Sequence, residues 1–224
     1  VTVVRTVDRI PVRPVARIEP PARAAPYACT LLSTGFLISE DLLVTAYHVR
    51  QGLQIEYECE KEEAQAYVYF FGPSRKELYL VDKRGSRDLP CGDFDRDWAI
   101  IRVEGSPGRR YGYLPLTRHP KVREGDPVTL IQRGDPARPL MVQGRIRIVG
   151  PKTVAYDAPT KHGFSGSPVL NERWEVVAVH YAGKNLQVPS GGGSETRNPE
   201  GYSRGVLISE VIEALESRSI LLAA

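Results

Sequence analysis

Lys161-His162-Gly163-Phe164-Ser165-Gly166-Ser167-Pro168-Val169 is the stretch on which the reading of this chain turns. Gly163 and Gly166 allow a tight bend at little steric cost, so the Ser165 hydroxyl projects while nearby backbone N–H groups turn inward together. Such a bend suits a nucleophile with donors poised around it. Taken alone, a G-x-S-G run also describes an ordinary turn between two strands, so partners upstream must decide.

Two upstream segments supply them. Leu42-Leu43-Val44-Thr45-Ala46-Tyr47-His48 sets a histidine at the end of an apolar run, and Asp97-Trp98-Ala99-Ile100-Ile101 sets a carboxylate at the mouth of another. A serine hydroxyl is a weak nucleophile at neutral pH. It needs a base with a pKa near 7 and a buried acceptor that fixes the tautomer of that base. The chain order His, Asp, Ser differs from the orders of subtilisins and α/β-hydrolases. The hydrolase elbow G-x-S-x-G also fails, because Ser167 stands where its last glycine belongs.

Thr45-Ala46-Tyr47-His48, Asp97-x-Ala99 and Gly163-x-Ser165-Gly166-Ser167-Pro168 together resemble the three signature blocks of the trypsin/chymotrypsin family, in its bacterial glutamyl-endopeptidase-like (V8-like) branch. Val128 to Gln132 and Val176 to Gly183 agree as weaker blocks, and the resemblance runs from about Cys29 to about Leu215. It implies an all-β fold of two antiparallel six-stranded β-barrels packed together, chymotrypsin-like, with a short C-terminal helix. It also implies a serine endopeptidase in which His48 is the general base, Asp97 orients it and Ser165 forms an acyl-enzyme. The N–H groups of Gly163 and Ser165 would hold the oxyanion. Asp93 and Asp95 compete with Asp97, but only Asp97 stands directly before x-Ala and two aliphatics. Phe164 departs from the chymotrypsin pattern, in which an aspartate precedes the serine and pairs with a newly cut N-terminus. The site is therefore expected to be preformed or controlled by another element.

Specificity follows from the same resemblance. Pro159 sits where trypsins keep a carboxylate, which removes the counter-charge for Arg or Lys. Thr160 comes next, and His180 occupies the place where glutamyl endopeptidases use a histidine to hold a Glu or Gln side chain. Lys161 and His162 add positive charge nearby, so the expected P1 residue is Glu, then Gln or Asp. The alternative is that His180 is merely a strand residue near a small pocket. Tyr181 to Gly183 are expected to offer a strand edge to the substrate backbone. No metal and no cofactor is expected.

Composition narrows the classes. The 224 residues carry a formal charge of +3 from 30 basic and 27 acidic side chains, a balance that calls for neither a nucleic-acid nor an anionic-membrane partner. Apolar runs are too short and too charged to span a bilayer, and the first residues lack the apolar core of a signal peptide. Cys29, Cys59 and Cys91 cannot all pair within one molecule, and none has neighbours at metal-ligand spacing. In the family that the chain resembles, many secreted members close the loop around the histidine with a disulfide, and no cysteine lies close behind His48, which favours a reducing, cytoplasmic setting, with secretion the alternative if a leader has been removed; a Cys59–Cys91 bridge stays open.

Residues 1–26 hold five prolines among five arginines and read as an extended arm or linker. From residue 27 to 224 short strand-like runs recur, giving a protease domain with a first barrel over 27–104, a crossover over 105–126, and a second barrel with the C-terminal helix over 127–224. The expected strands include Ala28 to Leu32 and Leu53 to Tyr57, and Ser190 to Gly205 reads as a loop bearing on substrate access. A protein or peptide substrate and a larger intracellular assembly are the expected partners. The competing function class is a catalytically silent binding or regulatory module on the same fold. An esterase is disfavoured by the residue order.

Overall fold

Residues 11–19, 32–53, 66–71, 76–89, 92–133, 139–183 and 201–220 are described by the computed structural model. The first half contains β1 (Val15–Glu19), β2 (Ser33–Leu37), β3 (Leu42–Thr45), β4 (Tyr67–Phe71), β5 (Lys76–Asp82), β6 (Gly92–Asp93) and β7 (Trp98–Val103). Their order is β3-β2-β1-β4-β5-β7-β6, and an added β3–β7 pairing closes a ring of six with β6 attached outside it. The second half contains β8 (Pro127–Gln132), β9 (Leu140–Val149), β10 (Thr153–Tyr156), β11 (Pro168–Leu170), β12 (Val176–Ala182) and β13 (Ser203–Leu207). These form a closed barrel in the order β10-β13-β12-β11-β8-β9. Every strand pair is antiparallel, as in the expected two-barrel architecture.

Several strands are apolar on both faces, and the reason positions the site. Leu37, Leu43 and Ile101 point into the first barrel, whereas their neighbours Phe36, Val44 and Ile100 point out into a third core shared with the second half. Across that seam, Leu130 and Val169 fill the second barrel while Ile131 and Leu170 join the shared core. Side chains alternate between the faces of a strand, so only a continuous apolar run can serve two cores at once. The seam between the barrels is thus a packed interface, built in part from the runs that lead into His48 and away from Ser165. Burying each such side chain stabilises the arrangement by roughly 1.5–3 kcal/mol.

Four short helices lie among the described residues: α1 (Tyr47–Gly52), α2 (Lys83–Asp88), α3 (Gly108–Tyr111) and α4 (Ile208–Ser217). The expected C-terminal helix is α4, whose Ile208, Val211, Ile212 and Leu215 fall at i, i+3, i+4 and i+7 and pack into the shared core. Glu210 in its first turn pairs with Lys152 of the second half at 3.2 Å and Arg96 of the first half at 3.5 Å. No strand-period pattern announced α2; its start is set by Asp82, which accepts from the Gly85 N–H at 2.8 Å.

The reading of residues 1–26 as an arm needs correction at 15–19, while residues 1–10 and 20–26 lie outside the described residues. Val15–Glu19 is β1, held between β2 and β4 inside the first ring, with Val15, Ala16 and Ile18 fully buried. Pro14 and Pro20 bound a five-residue alternation short enough to be hidden among prolines and arginines. The expected strand at Ala28 to Leu32 lies outside the described residues up to Leu32, which is not in a strand. The expected strand at Leu53 to Tyr57 lies outside them beyond Leu53, which caps α1. Cys29, Cys59 and Cys91, and residues 190–200 of the expected access loop, also lie outside the described residues. Among the described residues, no helix is long and apolar enough to cross a membrane.

Candidate active site

β3 ends at Thr45, and the chain turns at once into α1, which presents His48 in its first turn. Ala46 has no side chain able to cap that helix. Asp97 does so instead: its Oδ1 accepts the His48 backbone N–H at 2.8 Å while its Oδ2 lies 2.6 Å from His48 Nδ1. One carboxylate therefore fixes both the backbone and the ring of the histidine. Asp97 is only 8% exposed, and a buried carboxylate is stable only when donors satisfy it. Its φ of 55° places it in the left-handed region, where Asp is among the better-tolerated residues. Asp95 is exposed, and Asp93 engages Arg96, so neither rival carboxylate meets His48. With Nδ1 bound to Asp97, Nε2 is the ring nitrogen left for proton transfer.

The serine bend is held by its carbonyls. His162 O accepts from Gln132 Nε2 at 3.1 Å, Gly163 O from Thr34 Oγ1 at 2.7 Å, Phe164 O from the Ser167 N–H at 2.8 Å, and Ser165 O from the Thr34 N–H at 2.9 Å. The N–H groups of Gly163 and Ser165, in contrast, have no acceptor among the described residues. Gly163 and Gly166 have φ of 94° and 84°. A Cβ at Gly166 would strike Thr34 O and Thr45 Oγ1, so that position demands glycine twice over, whereas at Gly163 a Cβ would meet the end of the Gln132 side chain and the demand comes first from φ. Phe164 is fully buried in the second-barrel core, edge-on to His180 with ring centroids 6.2 Å apart. The residue before the serine is thus anchored by packing.

Ser165 is partly exposed, whereas Ser167 is sealed, its Oγ without a partner among the described residues. Ser165 Oγ makes no hydrogen bond to His48 in this structure. Catalytic hydrogen bonds in free enzymes are commonly long and tighten only with substrate.

The residues assigned to substrate binding gather at one end of the second barrel. His180 on β12 is 2% exposed, and its Nδ1 lies 2.6 Å from Tyr156 Oη on β10. Burial pushes the His180 pKa down to about 3, helped by the nearby His48, so the ring is neutral at physiological pH. Burial also raises the Tyr156 phenol well above its usual pKa, which keeps its single proton in place. That proton has two acceptors in reach, His180 Nδ1 at 2.6 Å and Arg204 O at 3.2 Å. If the proton goes to Nδ1, His180 carries its own proton on Nε2; if it goes to Arg204 O, Nδ1–H donates to the phenol oxygen. Thr160 Oγ1 is 2.8 Å from Ser203 Oγ and lies 3.2 Å from where a Cβ on Gly183 would stand. Tyr181 is half-buried on β12, and burial raises its phenol as well. Lys161 and His162 are exposed at the rim. A groove of about 570 Å³ elsewhere on the second barrel, lined by Arg145, Arg147, Asp157 and Trp174 among others, shares no residue with this cluster.

Three residues of this site were not found by sequence reasoning: Thr34, Gln132 and Tyr156. Gln132 alone gave a signal, as a polar residue closing the apolar run Val128 to Ile131 and buried to 5% exposure.

Comparison with known proteins accords with this geometry. A family model described as the trypsin-like peptidase domain matches residues 33–179. The structure resembles the crystal structure of Deg5 with a TM-score of 0.66 at 16% identity, covering 95% of this chain and 92% of that one. It also resembles a serine endoprotease from Yersinia pestis with a TM-score of 0.62 at 17% identity, covering 93% of this chain and 63% of that one. At these identities the structural likeness establishes the fold.

Proposed function

Because the chain belongs to the trypsin-like peptidase domain family and is a serine protease hydrolase, we propose that it is an endopeptidase working through His48, Asp97 and Ser165. The observation that carries this reading is the 2.6 Å contact between His48 Nδ1 and Asp97 Oδ2, beside a serine bend whose N–H groups have no acceptor among the described residues. In the proposed cycle His48 Nε2 takes the Ser165 proton as Oγ attacks the scissile carbonyl. The resulting oxyanion is met by the N–H groups of Gly163 and Ser165, each worth on the order of 3 kcal/mol in the transition state. His48 then gives the proton to the leaving amine, and water hydrolyses the acyl-enzyme by the reverse sequence. Asp97 keeps the ring oriented and stabilises it while charged.

The P1 side chain is proposed to meet Thr160, Gly183 and His180, with Tyr181 to Gly183 pairing the substrate backbone. Glu remains the first expectation, as in the glutamyl-endopeptidase-like branch. A neutral His180 offers one N–H donor and no full counter-charge, so Gln fits the same contact and Asp is too short to reach it equally well. Protein or peptide substrates follow from this chemistry.

A serine-directed fluorophosphonate probe tests the proposal. Labelling is expected at Ser165 in the wild-type protein and absent in Ser165→Ala, with turnover lowered by about 10⁶-fold. Wild-type protein that resists the probe and cleaves no peptide would instead establish the silent binding module. A peptide library read for P1 then tests specificity: cleavage confined to Arg, Lys or large aromatic residues would remove the His180 assignment.

A further inference from the structure

A planar trans peptide group holds its C=O and N–H pointing in opposite directions, so fixing one fixes the other. The peptide joining His162 to Gly163 carries the proposed oxyanion donor, the Gly163 N–H, on one side and the His162 carbonyl on the other. Glycine at 163 lets this group rotate easily, since no Cβ opposes the change of φ and ψ. A half-turn would put a carbonyl oxygen where the oxyanion must sit, replacing attraction by repulsion. Something has to hold the plane.

Gln132 and Thr34 are placed to do so, from opposite barrels. Gln132, at the end of β8 in the second barrel, donates Nε2–H to His162 O at 3.1 Å and is 5% exposed. Thr34, in β2 of the first barrel and fully buried, donates Oγ1–H to Gly163 O at 2.7 Å. The two bonds therefore capture the carbonyls of the peptide groups immediately before and after the Gly163 Cα. Thr34 itself is tied down by the Thr45 hydroxyl, which donates to Thr34 O at 2.8 Å, three residues before His48. Phe164 cannot form the ion pair that an acid at its position would make, so the bend needs a different brace.

We propose that Gln132 and Thr34 are positioning residues that clamp the peptide planes on either side of Gly163 and so keep its N–H directed at the reacting carbonyl. This rests on the reading of Ser165 as nucleophile and adds to it the device that keeps the oxyanion site preformed without a cut N-terminus. The clamp also makes the site depend on the seam, because one jaw comes from each barrel.

Gln132→Met keeps the volume and removes the donor. It is expected to lower kcat by about 10²-fold, the loss typical of one oxyanion donor, with KM within about threefold and an unshifted pH–rate profile. Thr34→Val should lower kcat by about 10-fold or more, and Thr34→Ser, which restores the hydroxyl, should recover most of that loss. A role in packing alone predicts the reverse pattern: lower melting temperatures with kcat per folded site unchanged. The backbone ¹H–¹⁵N resonance of Gly163 provides a readout independent of turnover, recorded in the Ser165→Ala background with and without Gln132→Met. Displacement of that resonance supports the clamp even if the wild-type protein proves inactive, a result that would sink the catalytic reading alone. A resonance that stays in place, or a Gln132→Met enzyme with wild-type kcat, overturns the clamp while leaving the triad standing.

Discussion

On the wall that the first barrel contributes to the candidate site, His48 and Asp97 meet side chain to side chain, and Asp97 reaches the backbone of α1 as well. On the second-barrel wall, the bend around Ser165 is shaped through its main chain: four successive carbonyls, 162 to 165, are captured, and the N–H groups between them at 163 and 165 have no acceptor among the described residues. The first wall depends on which side chains are present. The second depends on which donors lie behind the backbone, and those come from elements far away in sequence. A substitution on the first wall should therefore remove a chemical group, whereas one behind the second should misalign groups that remain present.

The comparison is tested most severely at Asp97. Asp97→Asn preserves an oxygen able to accept the His48 N–H but no longer favours the tautomer that frees Nε2 as a base. Turnover at neutral pH should fall by about 10⁴-fold with little change in KM, measured by steady-state kinetics. A drop below about tenfold would show that the first wall is not organised by that carboxylate.

A smaller effect is expected behind the second wall at Tyr156. Tyr156→Phe removes the hydroxyl that fixes His180 Nδ1 and leaves a buried ring nitrogen unpaired. Between about 10- and 100-fold should be lost from kcat/KM for Glu and Gln substrates, with other P1 residues affected less. Equal losses across all P1 side chains would mean that the Tyr156–His180 pair supports the barrel and does not read the substrate.

The mildest effect concerns acid stability. His180 titrates near 3 when folded because burial disfavours its charged form, against about 6.5 for an unfolded histidine. Between those values the unfolded chain binds the extra proton, so stability falls as pH drops through this window and the penalty is absent above it. Substituting His180→Phe should flatten that part of a melting-temperature profile between roughly pH 6.5 and 3.

The sequence disclosed the two walls unequally for the same physical reason. The His48–Asp97 contact and the glycine bend at Ser165 were legible because each motif pairs a polar side chain with a characteristic neighbour, and the apolar runs around them could be read as strands by their length. Thr34 and Gly163 lie 129 positions apart, and Gln132 and His162 lie 30 apart, so no local pattern links them. Tyr156 reads as an ordinary strand residue until β10 and β12 are brought to the same end of the barrel. β1 was hidden because Pro14 and Pro20 frame it so closely, and α2 because six residues are too few to show a helical period.

Catalysis in the proposed cycle rests on one oxygen atom, Ser165 Oγ. Mixing the enzyme with an activated ester of a peptide ending in Glu or Gln, quenching in acid during turnover and mapping the acylated peptide by mass spectrometry locates the covalent intermediate directly. The acyl group is predicted on Ser165, and its amount should collapse in His48→Ala. An acyl group on Ser167 or elsewhere, or turnover that proceeds with no acylated protein at any time, would contradict the assignment.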